Sequence, residues 1–373
     1  MELTVPAAVA RAGRDFGDTE ALAEPGRVRL SYRELDERVT AVTGALIDAG
    51  IGPGDRVAIW APNGSEWLLT ALGTLGAGAA LVPVSTRFTG PEALDVIGRS
   101  GARALFVAGN FLGVDRLGAL LAAAAGEGGN DGGLDRLGLV VRVPEEWDAF
   151  LQAGSATEAR RRALLAKARQ RAGAVRPGDV SDIMFTSGTT GRSKGAMTSH
   201  ERSLGVARAW ADGAGLGPGD RYLVVNPFFH TFGFKAGILA CLVSGAALVP
   251  QAVFDAGEAM RLAEAERITV LPGAPTIYQM ILDHPERAVR DLSSLRLAVT
   301  GAADVPVALV ERMRRELSFE TVLTAYGLTE AVVATMCRPG DPPEVVSATS
   351  GRAAAGFEVK IGRSDEILLR GPN

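Results

Sequence analysis

Hydroxyls and glycines alternate along Thr186-Ser187-Gly188-Thr189-Thr190-Gly191-Arg192-Ser193-Lys194-Gly195, directly after the apolar stretch Asp182-Ile183-Met184-Phe185. Glycines let a backbone approach an anion closely, neighbouring amides and hydroxyls donate to it, and Lys194 adds a formal positive charge. The spacing is not that of a Walker loop, in which four residues separate a glycine from Gly-Lys-Ser/Thr. A flexible linker of the same composition would not carry this order on the end of a buried strand. Thr186, Ser187, Gly188, Thr189, Thr190, Gly191 and Lys194 are therefore candidates for a phosphate-binding loop.

A second cluster, Ala325-Tyr326-Gly327-Leu328-Thr329-Glu330, follows the apolar Thr321-Val322-Leu323. It sets an aromatic, a hydroxyl and a carboxylate on one strand-to-loop turn. An aromatic can stack on a nucleobase, a hydroxyl can meet a phosphate, and a carboxylate can hold Mg²⁺ against phosphate oxygens. Alone the hexapeptide says little; beside an anion loop it points to nucleotide chemistry.

These groups need elements to hold them. Val57-Ala58-Ile59-Trp60, Ala80-Leu81-Val82-Pro83-Val84 and Ala104-Leu105-Phe106-Val107 read as strands, with helices over 65–75 and 91–99 between them. The beat resumes at 182–185, 222–225, 247–249, 268–271 and 297–299. Continuous apolar strands separated by helical segments predict mostly parallel sheets covered by helices on both faces. Two such series predict an α/β class with two packed α/β subdomains, over 1–175 and 176–335. Residues 122–135, an alanine run and then Gly-Glu-Gly-Gly-Asn-Asp-Gly-Gly, read as a flexible surface loop, and 156–175 as a solvated Arg/Ala-rich helix. Residues 336–373 read as a truncated β-rich segment, with strands over 356–361 and 366–370.

Composition excludes several classes. At 373 residues the chain can bury one sizeable core or two, and 47% hydrophobic with 22% charged residues is ordinary for a globular protein. A net charge of −4 argues against a nucleic-acid partner. No signal peptide is visible, and no apolar stretch reaches the ~20 residues of a membrane span. Cys241 and Cys337 lack metal-ligand spacing and read as reduced thiols of a cytoplasmic protein.

Taken together, the two clusters resemble the adenylate-forming superfamily: acyl-CoA synthetases, adenylation domains and firefly-type luciferases. The resemblance runs over essentially the whole chain. Asn226-Pro227-Phe228-Phe229-His230 with Phe232-Gly233 is similar to the aromatic–histidine block at the mouth of the acyl pocket. Thr300-Gly301-Ala302-Ala303 is similar to the adenine-lining segment, and Ser350-Gly351-Arg352 with residues 366–373 to later glycine-rich blocks. Residues 190–195, 235–241 and 305–313 look most like actinobacterial ligases for steroid-ring-derived propanoates, and like ligases for platensimycin-type diterpenoid acids. One departure is Ala331-Val332-Val333-Ala334, apolar where the steroid ligases carry more glycine and a polar residue.

The resemblance implies the large N-terminal domain of an enzyme that converts a carboxylic acid and ATP to an acyl-adenylate, then transfers the acyl group to coenzyme A. It implies that residues 186–194 hold the β- and γ-phosphates and that Gly301, Ala302, Ala303, Tyr326 and Gly327 frame the adenine. Thr329 would contact the α-phosphate and Glu330 would bind Mg²⁺. His230 would lie beside the attacking carboxylate, although a satisfied helix-start histidine is the plainer reading. Phe228, His230, Phe234, Lys235, Gly301 and Gly327 would line the acyl pocket, with residues 228–240 as a helix N-terminus beside a wide apolar cavity. Lys235 reads either as solvent-facing or as a contact to a polar group on a bulky polycyclic acid.

The nucleophile in such a reaction is already a carboxylate, so no strong base is needed. The difficulty is bringing two anions together. The resemblance also implies the start of a small β-barrel subdomain. A ribose-binding aspartate and a catalytic lysine of a C-terminal lid domain would lie beyond Asn373. Without them this chain would bind an acyl-adenylate, adenylate slowly and form no coenzyme A thioester. A separate chain carrying that domain and a homodimer both stay open. So do two other functions, an adenylation domain that loads a carrier protein and a non-catalytic adenylate-binding protein.

Overall fold

The stretches read as strands in the first half become neighbours in one six-stranded sheet. Its order is Lys194–Ser199, Val180–Thr186, Ala80–Pro83, Arg56–Trp60, Ala104–Ala108, Leu139–Val143. Five of them run parallel, and Lys194–Ser199 lies antiparallel at one edge. Ala80–Pro83 and Ala104–Ala108 are buried at every position, as a parallel sheet covered on both faces requires. This is a computed structural model that describes residues 3–126, 134–153, 157–186 and 193–371. They fall into two units, one of Met1–Asp18, Leu30–Ser203 and Phe228–His230, the other of Thr19–Arg29, Leu204–Pro227 and Thr231–Asn373.

In the first unit the helix expected over 65–75 is Ser65–Gly76, buried at every residue except Glu66. A helix apolar on all sides must be enclosed, and two glycines let it sit close to helix Tyr32–Asp48. A Cβ at Gly73 would fall 2.5 Å from Val42 Cγ1, and one at Gly76 would fall 2.4 Å from Thr43 Oγ1. Helix Gly90–Ser100 begins at a capping box of Thr89 and Glu92 and ends at a left-handed Gly101. Leu94 and Ile97 from this helix join Trp60, Val82, Leu105 and Leu120 in one apolar core.

The surface loop expected over 122–135 is corrected in part. Helix Arg116–Gly126 takes in the alanine run, and Leu134–Arg136 forms a short 3₁₀ turn. Alanine has the highest helix propensity, and four in a row continue the helix that Arg116 begins. Residues 127–133 lie outside the described residues. The Arg/Ala-rich helix is Glu158–Gly173, with Ala168 its one buried residue.

The second unit carries its own mostly parallel sheet. Glu20–Glu24, Ala247–Pro250 and Arg221–Val224 lie side by side and parallel. Leu297–Gly301 and Thr321–Tyr326 continue it in parallel, and Thr335–Met336 and Arg352–Ala353 add antiparallel strands. Residues 268–271, read as a strand, join these halves by only two single-residue bridges, from Val270 to Tyr222 and to Leu297. Pro272 ends the run because it has no N–H to give. Glu358–Ile361 and Ile367–Arg370 pair antiparallel as a hairpin, and no closed barrel is present among the described residues. No helix among the described residues is long and apolar enough to cross a membrane.

Candidate active site

In the first unit, strand Val180–Thr186 leads from a buried polar cluster to the predicted phosphate loop. Ser181 and Asp182 are fully buried. Asp182 Oδ2 accepts from Ser181 Oγ at 2.6 Å and Ser203 Oγ at 2.9 Å, so the buried carboxylate has hydroxyl donors. His200, which starts the following helix, is 1% exposed, and its Nδ1 accepts from the Val5 N–H at 3.3 Å. Burial brings its pKa down to about 4, against the opposing pull of Asp182 and Asp179. The imidazole is therefore neutral near pH 7.

At the strand's other end Thr186 pairs in register with Lys194, and Phe185 with Gly195. Thr186 Oγ1 reaches the Lys194 carbonyl at 3.5 Å, a long contact. Thr186 and Lys194 thus stand opposite each other, as a loop closing on an anion requires. Ser187, Gly188, Thr189, Thr190 and Gly191 lie outside the described residues. Ser193, just before Lys194, is held from the side. Arg99 Nη2 donates to its carbonyl at 2.8 Å and Nη1 to its Oγ at 3.2 Å.

The first unit also includes Phe228–His230. The Phe228 N–H donates to Asn63 Oδ1 at 2.7 Å, and its ring lies 5.3 Å from Trp67. His230 exposes more than a third of its surface, yet crowding by the chain holds its pKa below the ordinary imidazole value, and Arg87 pushes the same way. Sequence reasoning missed Asn63. Pro62-Asn63-Gly64 signals a turn and nothing in it foretells a partner 165 residues away.

In the second unit Gly301 and Ala325 pair at the carboxyl ends of adjacent parallel strands, where open α/β sheets bind ligands. A Cβ at Gly301 would lie 2.2 Å from the Ala325 carbonyl oxygen, and one at Gly327 would lie 1.7 Å from that of Val332. Only glycine fits either position. Ala302 takes a left-handed φ of 63° and Val332 one of 56°, conformations that cost non-glycine residues energy and persist where surroundings impose them.

The 328–333 turn is closed by the N–H groups of Ala331 and Val332, both donating to the Leu328 carbonyl, while the Ala334 N–H donates to Tyr326. Ala331-Val332-Val333-Ala334 is buried, so its apolar character anchors the turn. Tyr326 and Thr329 are half-buried and Ala302, Ala303 and Glu330 exposed. Glu330 has no hydrogen bond or ion pair among the described residues. No cluster of three or more acidic, His or Cys side chains occurs there either. One free carboxylate suits Mg²⁺, which keeps waters and phosphate oxygens as its other ligands.

Phe232–Leu239, expected as a helix N-terminus, is a π-helix. Gly233 admits its close start, since a Cβ there would fall 2.1 Å from the Pro227 carbonyl oxygen. Phe234 and Lys235 are both fully buried. The solvent-facing reading of Lys235 is thereby corrected: the wider π turn carries it inward with its apolar neighbours.

Residues 9–372 match the family model described as AMP-binding enzyme. The chain belongs to the AMP-binding enzyme family. Two relatives are each named 3-[(3aS,4S,7aS)-7a-methyl-1,5-dioxo-octahydro-1H-inden-4-yl]propanoyl:CoA ligase. The one from Rhodococcus jostii is 53% identical over 99% of this chain and 71% of its own length. That from Mycobacterium tuberculosis is 52% identical, with the same coverage of 99% and 71%. The solved N-terminal domain of FACL13 from Mycobacterium tuberculosis superposes with a TM-score of 0.83 at 23% identity, over 100% of this AMP-binding enzyme and 90% of that chain. That likeness shows a shared fold.

Proposed function

We propose that this AMP-binding enzyme joins a bulky polycyclic carboxylic acid to coenzyme A through an acyl-adenylate. In the first step the acid's carboxylate oxygen attacks the α-phosphorus of ATP, and pyrophosphate leaves. In the second the coenzyme A thiol attacks the acyl carbon, forming the thioester and releasing AMP. Thr186 and Lys194 hold the β- and γ-phosphates, together with Ser187, Gly188, Thr189, Thr190 and Gly191. Gly301, Ala302, Ala303, Tyr326 and Gly327 receive the adenine, and Thr329 donates to the α-phosphate. Glu330 holds Mg²⁺, which when bound offsets the charge that builds on the phosphate oxygens. His230, neutral near pH 7, orients the attacking carboxylate, which is already ionised and needs no base.

The observation that carries this reading is the pair of strand ends at Gly301 and Gly327, bracketing Tyr326. Two backbone approaches that no other residue tolerates leave an open edge beside an aromatic ring, a hydroxyl and a carboxylate with no partner among the described residues. The substrate class follows the two ligase relatives, whose named acid is a bicyclic dione.

The test is ATP–pyrophosphate exchange with a panel of acids, followed by addition of coenzyme A and detection of thioester. A bicyclic propanoate should exceed palmitate and acetate. Preference for palmitate or acetate would overturn the substrate class, and absence of both exchange and ATP binding would overturn the activity.

A further inference from the structure

The edge strand Lys194–Ser199 raises a question of position. It is exposed or half-exposed throughout, so burial does little to fix it. Yet Lys194, its first residue, must stand at a set distance from the phosphates if the proposed function holds. The strand's ladder to Val180–Thr186 fixes its register, and the Thr186 side chain adds only a long 3.5 Å contact from Oγ1 to the Lys194 carbonyl.

Arg99 supplies what burial does not. It lies in the last turn of helix Gly90–Ser100, where Asp95 Oδ2 accepts from its Nη1 at 2.8 Å, one helical turn back. From there the guanidinium reaches both arms of the hairpin. On one arm Nη2 donates to the Ser193 carbonyl and Nη1 to its hydroxyl, at 2.8 and 3.2 Å. On the other, the guanidinium carbon lies 5.4 Å from the centroid of the Phe185 ring. Phe185 immediately precedes Thr186, and Ser193 immediately precedes Lys194. One cation thus meets the residue before each of the two phosphate contacts, by hydrogen bonds on one side and by a cation–π contact on the other.

We propose that Arg99 is the positioning residue for phosphate binding, setting Thr186 against Lys194 without itself touching ATP. The inference rests on the function proposed above. A lysine could not fully replace it, because a single ammonium lacks the guanidinium's fixed fork that meets the Ser193 carbonyl and hydroxyl through two nitrogens. The role also predicts a division among ligands. What Arg99 orders serves the β- and γ-phosphates, so a ligand without them should not sense its loss.

Calorimetry of the whole chain with MgATP and with AMP, for the native protein, Arg99→Met and Arg99→Lys, tests this. Arg99→Met should weaken MgATP about tenfold or more and leave AMP within twofold. Arg99→Lys should fall between the two, because the charge returns without the two-nitrogen fork. A purely structural role would weaken both ligands together or neither, and either result overturns the proposal. So would Arg99→Lys binding MgATP as well as the native protein. If Arg99→Met fails to fold, the lysine variant carries the comparison alone. Native protein that binds neither ligand would overturn the functional reading itself, and with it this inference.

Discussion

The hairpin at Thr186 and Lys194 and the strand ends at Gly301 and Tyr326 belong to different units and are built by opposite means. Beyond its backbone ladder, the hairpin is pinned by side chains: a guanidinium on Ser193, and hydroxyls on the buried Asp182 further down the strand. The strand ends are held by backbone, with carbonyl oxygens of Ala325 and Val332 filling the space where a Cβ would go. Side-chain contacts can be weakened by degrees, whereas a backbone oxygen 1.7 Å from a would-be carbon leaves no intermediate state. The proposed function assigns a flat base to the strand ends and a flexible polyphosphate to the hairpin.

The sharpest way to break the comparison is Gly327→Ala. The added carbon must displace the Val332 carbonyl, so the 328–333 turn should refold at a cost on the order of 3 kcal/mol or more. Pyrophosphate exchange should be lost, and loss with an unchanged melting temperature would show that the turn can yield. Glu330→Gln comes next. It removes charge from an exposed side chain with no partner among the described residues, so the melting temperature should hold within a degree or so. Adenylation should fall by roughly two orders of magnitude. Near-native adenylation would exclude Glu330 as the metal ligand.

On the hairpin side, His200 gives a pH signature. The unfolded imidazole protonates near 6.5 and the buried one only near 4, so above 6.5 neither state binds the proton and its contribution is complete. As pH falls from 6.5 towards 4 the unfolded state alone takes it up. Stability then drops by up to about 3 kcal/mol, at 1.36 kcal/mol per pH unit. Urea unfolding at pH 7.5 and 5 should show a steeper loss for the native protein than for His200→Gln, and equal slopes would place His200 in a more polar setting. The smallest effect is expected of Lys194→Ala. MgATP binding should weaken about tenfold, the loss of one charge-assisted contact. An acyl-adenylate analogue, which lacks those phosphates, should bind as before. Equal weakening of both would move Lys194 to the α-phosphate.

Sheet positions were legible because strands 56–60, 80–83 and 104–108 are apolar at nearly every residue, and parallel strands between helices leave few other solutions. The glycines of 301 and 327 were legible as part of motifs, but not the reason for them, since the oxygen that excludes a side chain comes from a neighbouring strand or a returning turn. Lys235 misled because a lysine's default place is the surface, and no periodicity announces a π-helix. Arg99 was invisible for another reason. Its sequence neighbourhood reads as the end of an ordinary amphipathic helix, and its partner Ser193 lies 94 residues on.

The exposed edge strand Lys194–Ser199 has a further consequence, for how the protein behaves at high concentration. A strand at the border of a sheet offers its outer backbone groups to any extended segment that meets it. Met197 on this strand is 68% exposed, which makes such a meeting more adhesive. Lys194 is the strand's only charge, and lysines on edge strands discourage stacking between molecules. The side chain assigned to the phosphates would thus also guard against self-association. Lys194→Ala would be expected to scatter more light at high concentration than Glu330→Gln, whose altered residue lies on a turn with no open strand edge. Titrations of the two variants are therefore comparable only below the concentration at which that scattering begins.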